Sequence, residues 1–104
     1  HNWKRIVAPF MPASPPAGRF VYTIRDTEGV TQMLVISTTD VEEEVHETEK
    51  ESLLVLDGEC ECCIGDEVIR LGPGGFIDIP LHTPHHVKLL SPVVTAIVQH
   101  ITLR

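Results

Sequence analysis

The 104-residue sequence predicts an all-β domain in which antiparallel strands close into a sandwich or barrel. From Arg19 onward, short apolar runs alternate with turn signals at a spacing of roughly 8–12 residues, the rhythm of many short strands. Asp57-Gly58 and Gly65-Asp66 are two-residue hairpin signals, because the turns that join twisted strands need backbone conformations that Gly and Asp tolerate. The length admits one hydrophobic core, since a domain of this size buries roughly 60–65% of the surface its unfolded chain exposes.

In chain order, residues 1–18 are expected to form a proline-rich N-terminal arm. They hold Pro9, Pro12, Pro15 and Pro16 and show neither helical nor alternating periodicity. The barrel domain then spans residues 19–104. Its strands are expected at Phe20–Arg25, Val30–Ser37, Val41–His46, Glu51–Leu56, Glu59–Ile64, Glu67–Leu71, Phe76–Ile79 and His85–Leu90, with Val93–Thr102 closing the sheet. Between them stand Asp26-Thr27-Glu28-Gly29, the two hairpin signals, Gly72-Pro73-Gly74-Gly75 and Ser91-Pro92. Asp40 to Leu56 has a rival reading as a helix, with a capping Asp and several strong helix formers. The run Leu53-Leu54-Val55-Leu56 ending in Asp-Gly favours a buried strand. The choice bears on chemistry, because on a helix positions 46 and 51 would lie roughly 140° apart and could not meet at one ion.

Composition excludes several classes of function. Fifteen acidic residues against eight Lys and Arg give a formal charge of −7, which repels nucleic-acid phosphates and anionic lipid. No apolar run approaches the ~20 residues a membrane-spanning helix requires. Cys60, Cys62 and Cys63 are too close together for a disulfide framework, which fits reduced thiols in a cytoplasmic protein. Nor is there a second cysteine segment to complete a structural zinc site. Cys60 and Cys62 share one face of a strand and are expected to be buried and inert.

The residues suited to chemistry are histidines and carboxylates. On a strand, Glu44 and His46 point to the same side, and Glu51, after the loop Glu47-Thr48-Glu49-Lys50, opens the next strand toward the same interior. Three donors would thus come from one hairpin. His82, His85 and His86 follow on a proline-framed loop, and one of them can complete a metal site. By alternation His86 points outward from His85. Two buried carboxylates would repel each other, so a cation among them has a physical rationale. His1 and His100 have no partner that the sequence reveals.

These residues carry a resemblance to the cupin superfamily. Its first motif has a His-x-His pair, then Glu, then Gly; here Glu44-x-His46 is followed by Glu51 and Gly58. Its second motif, Gly, Pro-x-Gly and His, is similar to Gly74, Pro80-Leu81-His82 and His85. The chain departs from the pattern at Glu44, where a first His is usual, at His82 in place of a Gly, and at Leu89 in place of an Asn. The resemblance implies a double-stranded β-helix, the jelly-roll barrel. It also implies metal ligation by His46, Glu51 and His85, with Glu44 as a fourth ligand, around one divalent transition metal, Fe, Mn, Ni or Zn.

The first functional expectation is a metal-dependent enzyme acting on a small organic molecule, dioxygenase- or isomerase-like, with hydrolase or lyase chemistry also compatible, and with His82 at the barrel mouth as an acid-base group. Met33, Val35, Leu53, Val55 and Phe76 are the further candidates for the mouth. The second is a non-enzymatic barrel that binds a small sugar or acid. The third is a metal-free barrel using His46 and His85 as acid and base. Sheet edges and the apolar arm, with Trp3 and Phe10, point to a homodimer. Deleting residues 1–18 is therefore expected to convert a dimer to a monomer in size-exclusion chromatography with light scattering, and an unchanged mass would reject this role of the arm.

Overall fold

Apolar residues recur at every second position through most of the chain, and the backbone answers with strands. The computed structural model describes residues 18–102, so the arm expected over residues 1–18 lies, but for Gly18, outside the described residues. The strands are β1 (Arg19–Thr27), β2 (Val30–Ser37), β3 (Val41–Glu44), β4 (Glu49–Asp57), β5 (Cys60–Ile64), β6 (Glu67–Leu71), β7 (Phe76–Ile79), β8 (His85–Leu89) and β9 (Val94–Thr102). No helix occurs among the described residues, so the helical reading of Asp40 to Leu56 is wrong and the strand reading right.

The strands form two antiparallel sheets, one of five in the order β1-β2-β9-β4-β7 and one of four in the order β3-β8-β5-β6. Their inner faces enclose the core. Leu53, Val55, Val94 and Ala96 of the larger sheet meet Cys60, Cys62 and Leu71 of the smaller one. Register places Leu53 opposite Val98 and Val55 opposite Ala96, so these side chains share one face. Each fully buried aliphatic side chain contributes roughly 1.5–3 kcal/mol, and this layer is what holds the two sheets together. Cys60 and Cys62 are buried free thiols, as expected. Contact with Cys60 and burial push the Cys62 thiol up, so it stays protonated.

Two turn expectations fare differently. Gly65-Asp66 joins β5 to β6 as a two-residue hairpin, with Ile64 paired to Glu67. Asp57-Gly58 does not make a hairpin: β4 and β5 belong to different sheets, and the turn carries the chain across the barrel. The same correction applies further upstream. β3 and β4 are also on different sheets, and β3 ends at Glu44 instead of His46, because Val45 to Thr48 leave the ladder to make the crossing. The donors Glu44, His46 and Glu51 therefore do not come from one hairpin.

The Asp57-Gly58 crossing is sterically tight. Gly58 has φ +86°, and a Cβ there would run into the Val93 carbonyl oxygen and lie 2.8 Å from Ser91 Oγ. Ser91 Oγ in turn accepts the Glu59 N–H at 2.9 Å. Gly74 has the same φ, +86°, but open space around it. Gly74→Ala is accordingly expected to cost the left-handed penalty alone, about 1 kcal/mol, and Gly58→Ala roughly 2–4 kcal/mol by urea denaturation. Equal losses would contradict the steric account of the crossing.

Candidate metal centre

The site is built from two cross-strand pairs that face each other across the barrel. In the smaller sheet Glu44 of β3 pairs with His85 of β8, and in the larger sheet Glu51 of β4 pairs with His100 of β9. Directly opposite residues hold their Cβ atoms about 5 Å apart, so each pair presents a carboxylate beside an imidazole. His46 reaches the same point from the segment between β3 and β4. The described ligand atoms of Glu44, His46, Glu51 and His85 all lie within 4.8 Å of one another, a group that can hold a metal ion.

The separations fit such an ion. His46 Nε2 is 2.9 Å from Glu51 Oε1 and 3.4 Å from Glu44 Oε2, and His85 Nε2 is 3.5 Å from Glu51 Oε1. For metal–ligand bonds of about 2.1 Å, neighbouring donors stand roughly 3.0 Å apart in an octahedron and roughly 3.4 Å in a tetrahedron. Imidazole and carboxylate donors without thiolate suit Mn, Fe, Ni or Zn. His85 is also oriented for ligation, because its Nδ1 lies 3.1 Å from the Thr83 carbonyl oxygen and donates to it, which leaves the Nε2 lone pair facing the cluster. Burial follows the same gradient: His85 is buried, His46 and Glu51 are partly covered, and Glu44 is about half exposed.

Electrostatics centre on Glu51. Burial, the largest single influence, raises its pKa, but the imidazoles of His100, His85 and His46 together outweigh burial and hold the carboxyl below its ordinary range. His100 shifts the opposite way: contact with the Glu51 carboxylate raises it, against the opposing effect of burial. The 3.6 Å between His100 Nε2 and Glu51 Oε1 is too long for a good hydrogen bond, so the attraction is chiefly that of charge.

His100 corrects the sequence reading, which gave it no partner. It lines a cavity of about 200 Å³ together with Glu44, Glu51 and His85, and its ring centroid stands 5.4 Å from that of His46. The signal was in the alternation: Val94, Ala96, Val98 and His100 fall on one face of β9, so a histidine continues the inward row. Of the residues expected at the mouth, Met33, Val35 and Leu53 line the cavity, Val55 is core, and Phe76 is exposed.

His82 does not join the cavity lining. Its Nδ1 lies 2.7 Å from Glu47 Oε2, with both side chains exposed, and its backbone N–H donates to the His46 carbonyl at 2.9 Å. It fastens the Pro80–Pro84 loop to the His46 segment, and it does so at φ 58°, the single left-handed residue other than glycine among the described residues. His86, on the opposite face of β8 from His85, is likewise absent from the cavity.

An antiparallel two-sheet barrel of this topology has the jelly-roll architecture, with histidines and carboxylates gathered inside it. Sequence comparison agrees: the cupin domain family matches residues 31–99, and the chain belongs to the cupin family. No curated protein sequence matches the chain. Among solved structures, TT1209 from Thermus thermophilus is similar at 20% identity and TM-score 0.79, covering 100% of this chain and 97% of its own. KdgF from Halomonas sp. is similar at 24% identity and TM-score 0.77, covering 84% of this chain and 81% of its own. The structure of FeII HppE is similar at 19% identity and TM-score 0.72, covering 81% of this chain; this chain spans 50% of that protein's length. At these identities the likeness shows the shared fold.

Replacing His82 by Gly removes the left-handed penalty and an exposed pair worth little, so His82→Gly is expected to raise stability by up to about 1 kcal/mol while leaving metal uptake unchanged. Loss of uptake in that variant would place His82 at the ion instead of at the loop.

Proposed function

We propose that this cupin is a metal-dependent enzyme that acts on a small organic molecule held in the barrel cavity, with one divalent transition metal bound by His46, Glu51, His85 and Glu44. The observation that carries the reading is the convergence of four donor atoms within 4.8 Å at one end of a cavity whose other walls are largely apolar. Such a cavity suits a small ligand with an apolar body and a polar end directed at the donors. The bound ion supplies Lewis acidity or an oxygen-activating centre at its open positions.

The chain's own residues have separable tasks. Glu51 is the half-buried anion on which the imidazoles converge, and it offsets the charge of the ion where water is scarce. Thr83 fixes the His85 tautomer through its carbonyl. Glu44, the most exposed donor, stands on the solvent side, where exchange of water or substrate costs least. Val21, Met33, Val35, Leu53, Val87 and Val98 exclude water from the ligand's apolar part. The structural likeness to a protein described with FeII supports an ion in such a barrel.

A non-enzymatic barrel that stores or senses a small ligand is the second reading, favoured by the largely apolar walls and by the position of His82 outside the cavity. Metal analysis by inductively coupled plasma on protein purified without a tag or added metal, beside a His46→Ala, His85→Ala double variant, tests the first. One equivalent of a transition metal in the parent and none in the variant is the expected result. A parent that is metal-free and takes up no Mn, Fe, Ni or Zn would sink the metalloenzyme and leave the binding barrel.

A further inference from the structure

Besides His46 and His85, one further imidazole approaches Glu51, that of His100. Three imidazole Nε2 atoms approach the same oxygen, Glu51 Oε1: His46 at 2.9 Å, His85 at 3.5 Å and His100 at 3.6 Å. One carboxylate oxygen cannot serve three ring N–H donors at these distances, since two of the three lie at or beyond the limit of a hydrogen bond. The 3.6 Å between His100 and Glu51 is close to the separation of two neighbouring ligands of one ion.

Ring orientation supports this. The Nδ1 atom of His100 faces the Glu49 carboxylate, 3.9 Å from Oε1, while its Nε2 faces Glu51. At 3.9 Å the Glu49 contact is one of charge, longer than the 3.1 Å hydrogen bond that orients His85, and it sets the ring with Nε2 toward Glu51. The ring centroids of His85 and His100 lie 5.0 Å and 5.4 Å from that of His46, so each of the two rings neighbours His46. His100 is about one-fifth exposed, close to His46, whereas Glu44 is nearly half exposed.

We infer that His100 is a direct ligand of the ion, so that the inner coordination set is three imidazoles, His46, His85 and His100, with the Glu51 carboxylate, and Glu44 occupies the exchangeable solvent side. This rests on the metal reading given above and changes its content: a nitrogen-rich set binds Cu2+, Ni2+ and Zn2+ more strongly than a set with two carboxylates would. His100 belongs to β9, outside both sequence motifs, and it reaches the ion only because β9 pairs with β4.

The test is to count imidazoles. The 104-residue chain loaded with one equivalent of Cu2+ is studied by pulsed electron paramagnetic resonance, in which the remote nitrogen of each bound ring modulates the echo. His100→Ala and the bulkier His100→Gln are measured beside it. Three coupled imidazoles in the parent and two in either folded variant are expected. Affinity alone would not decide, because a histidine that merely steadied Glu51 would also weaken binding when removed, by roughly 10–100-fold. Two imidazoles in the parent, or three retained in the variants, would overturn the role of His100 while leaving the metal reading intact. A parent that binds no Cu2+ would overturn both.

Discussion

The inner end of this barrel is organised by the charge of one half-buried carboxylate. Burial raises the pKa of Glu51, and the three imidazoles around it outweigh burial and hold the carboxyl below its ordinary range. That balance ties the two sheets together electrostatically at the point where apolar packing gives way to polar groups. His85 comes from the smaller sheet, His100 and Glu51 from the larger, and His46 from the chain that crosses between them. A cation placed among these groups has ready-made donors on every side, and its removal leaves charges that must find partners in each other.

The fold produces this meeting through register. From β2 to β5 and again from β6 to β9 consecutive strands alternate between the two sheets, so residues close in sequence face each other across the core and residues far apart become cross-strand neighbours. Glu44 and Glu51 are close in sequence yet stand on opposite walls. Glu51 and His100 are 49 positions apart yet adjacent. The apolar layer of Leu53, Val55, Ala96, Cys60 and Cys62 sets the distance between the walls, and the tight Asp57-Gly58 crossing fixes where β5 begins.

Much of this was legible in the sequence. Strand positions followed from period-two alternation and turn residues, and the nine expected strands match those observed to within a few residues at their ends. The donors Glu44, His46, Glu51 and His85 were found by parity and by the resemblance of two motifs, and the structure brings their ligand atoms together. The assignment of strands to sheets was not legible, because an Asp-Gly pair serves a hairpin and a crossing alike, and only packing distinguishes them. His100 escaped for a related reason: it was given no partner, because the β4–β9 register that sets it beside Glu51 depends on contacts the local sequence does not encode. The left-handed backbone of His82 and its pairing with Glu47 were not legible in the sequence.

The central claim is that a single ion sits at the convergence of the two walls. Crystals of the Mn2+- or Co2+-loaded protein, measured with X-rays on either side of the metal absorption edge, locate that ion directly. The account predicts one strong anomalous peak per chain, within bonding distance of His46 Nε2, His85 Nε2 and Glu51 Oε1. A barrel interior without a peak, or metal found only on surface carboxylates, would contradict it.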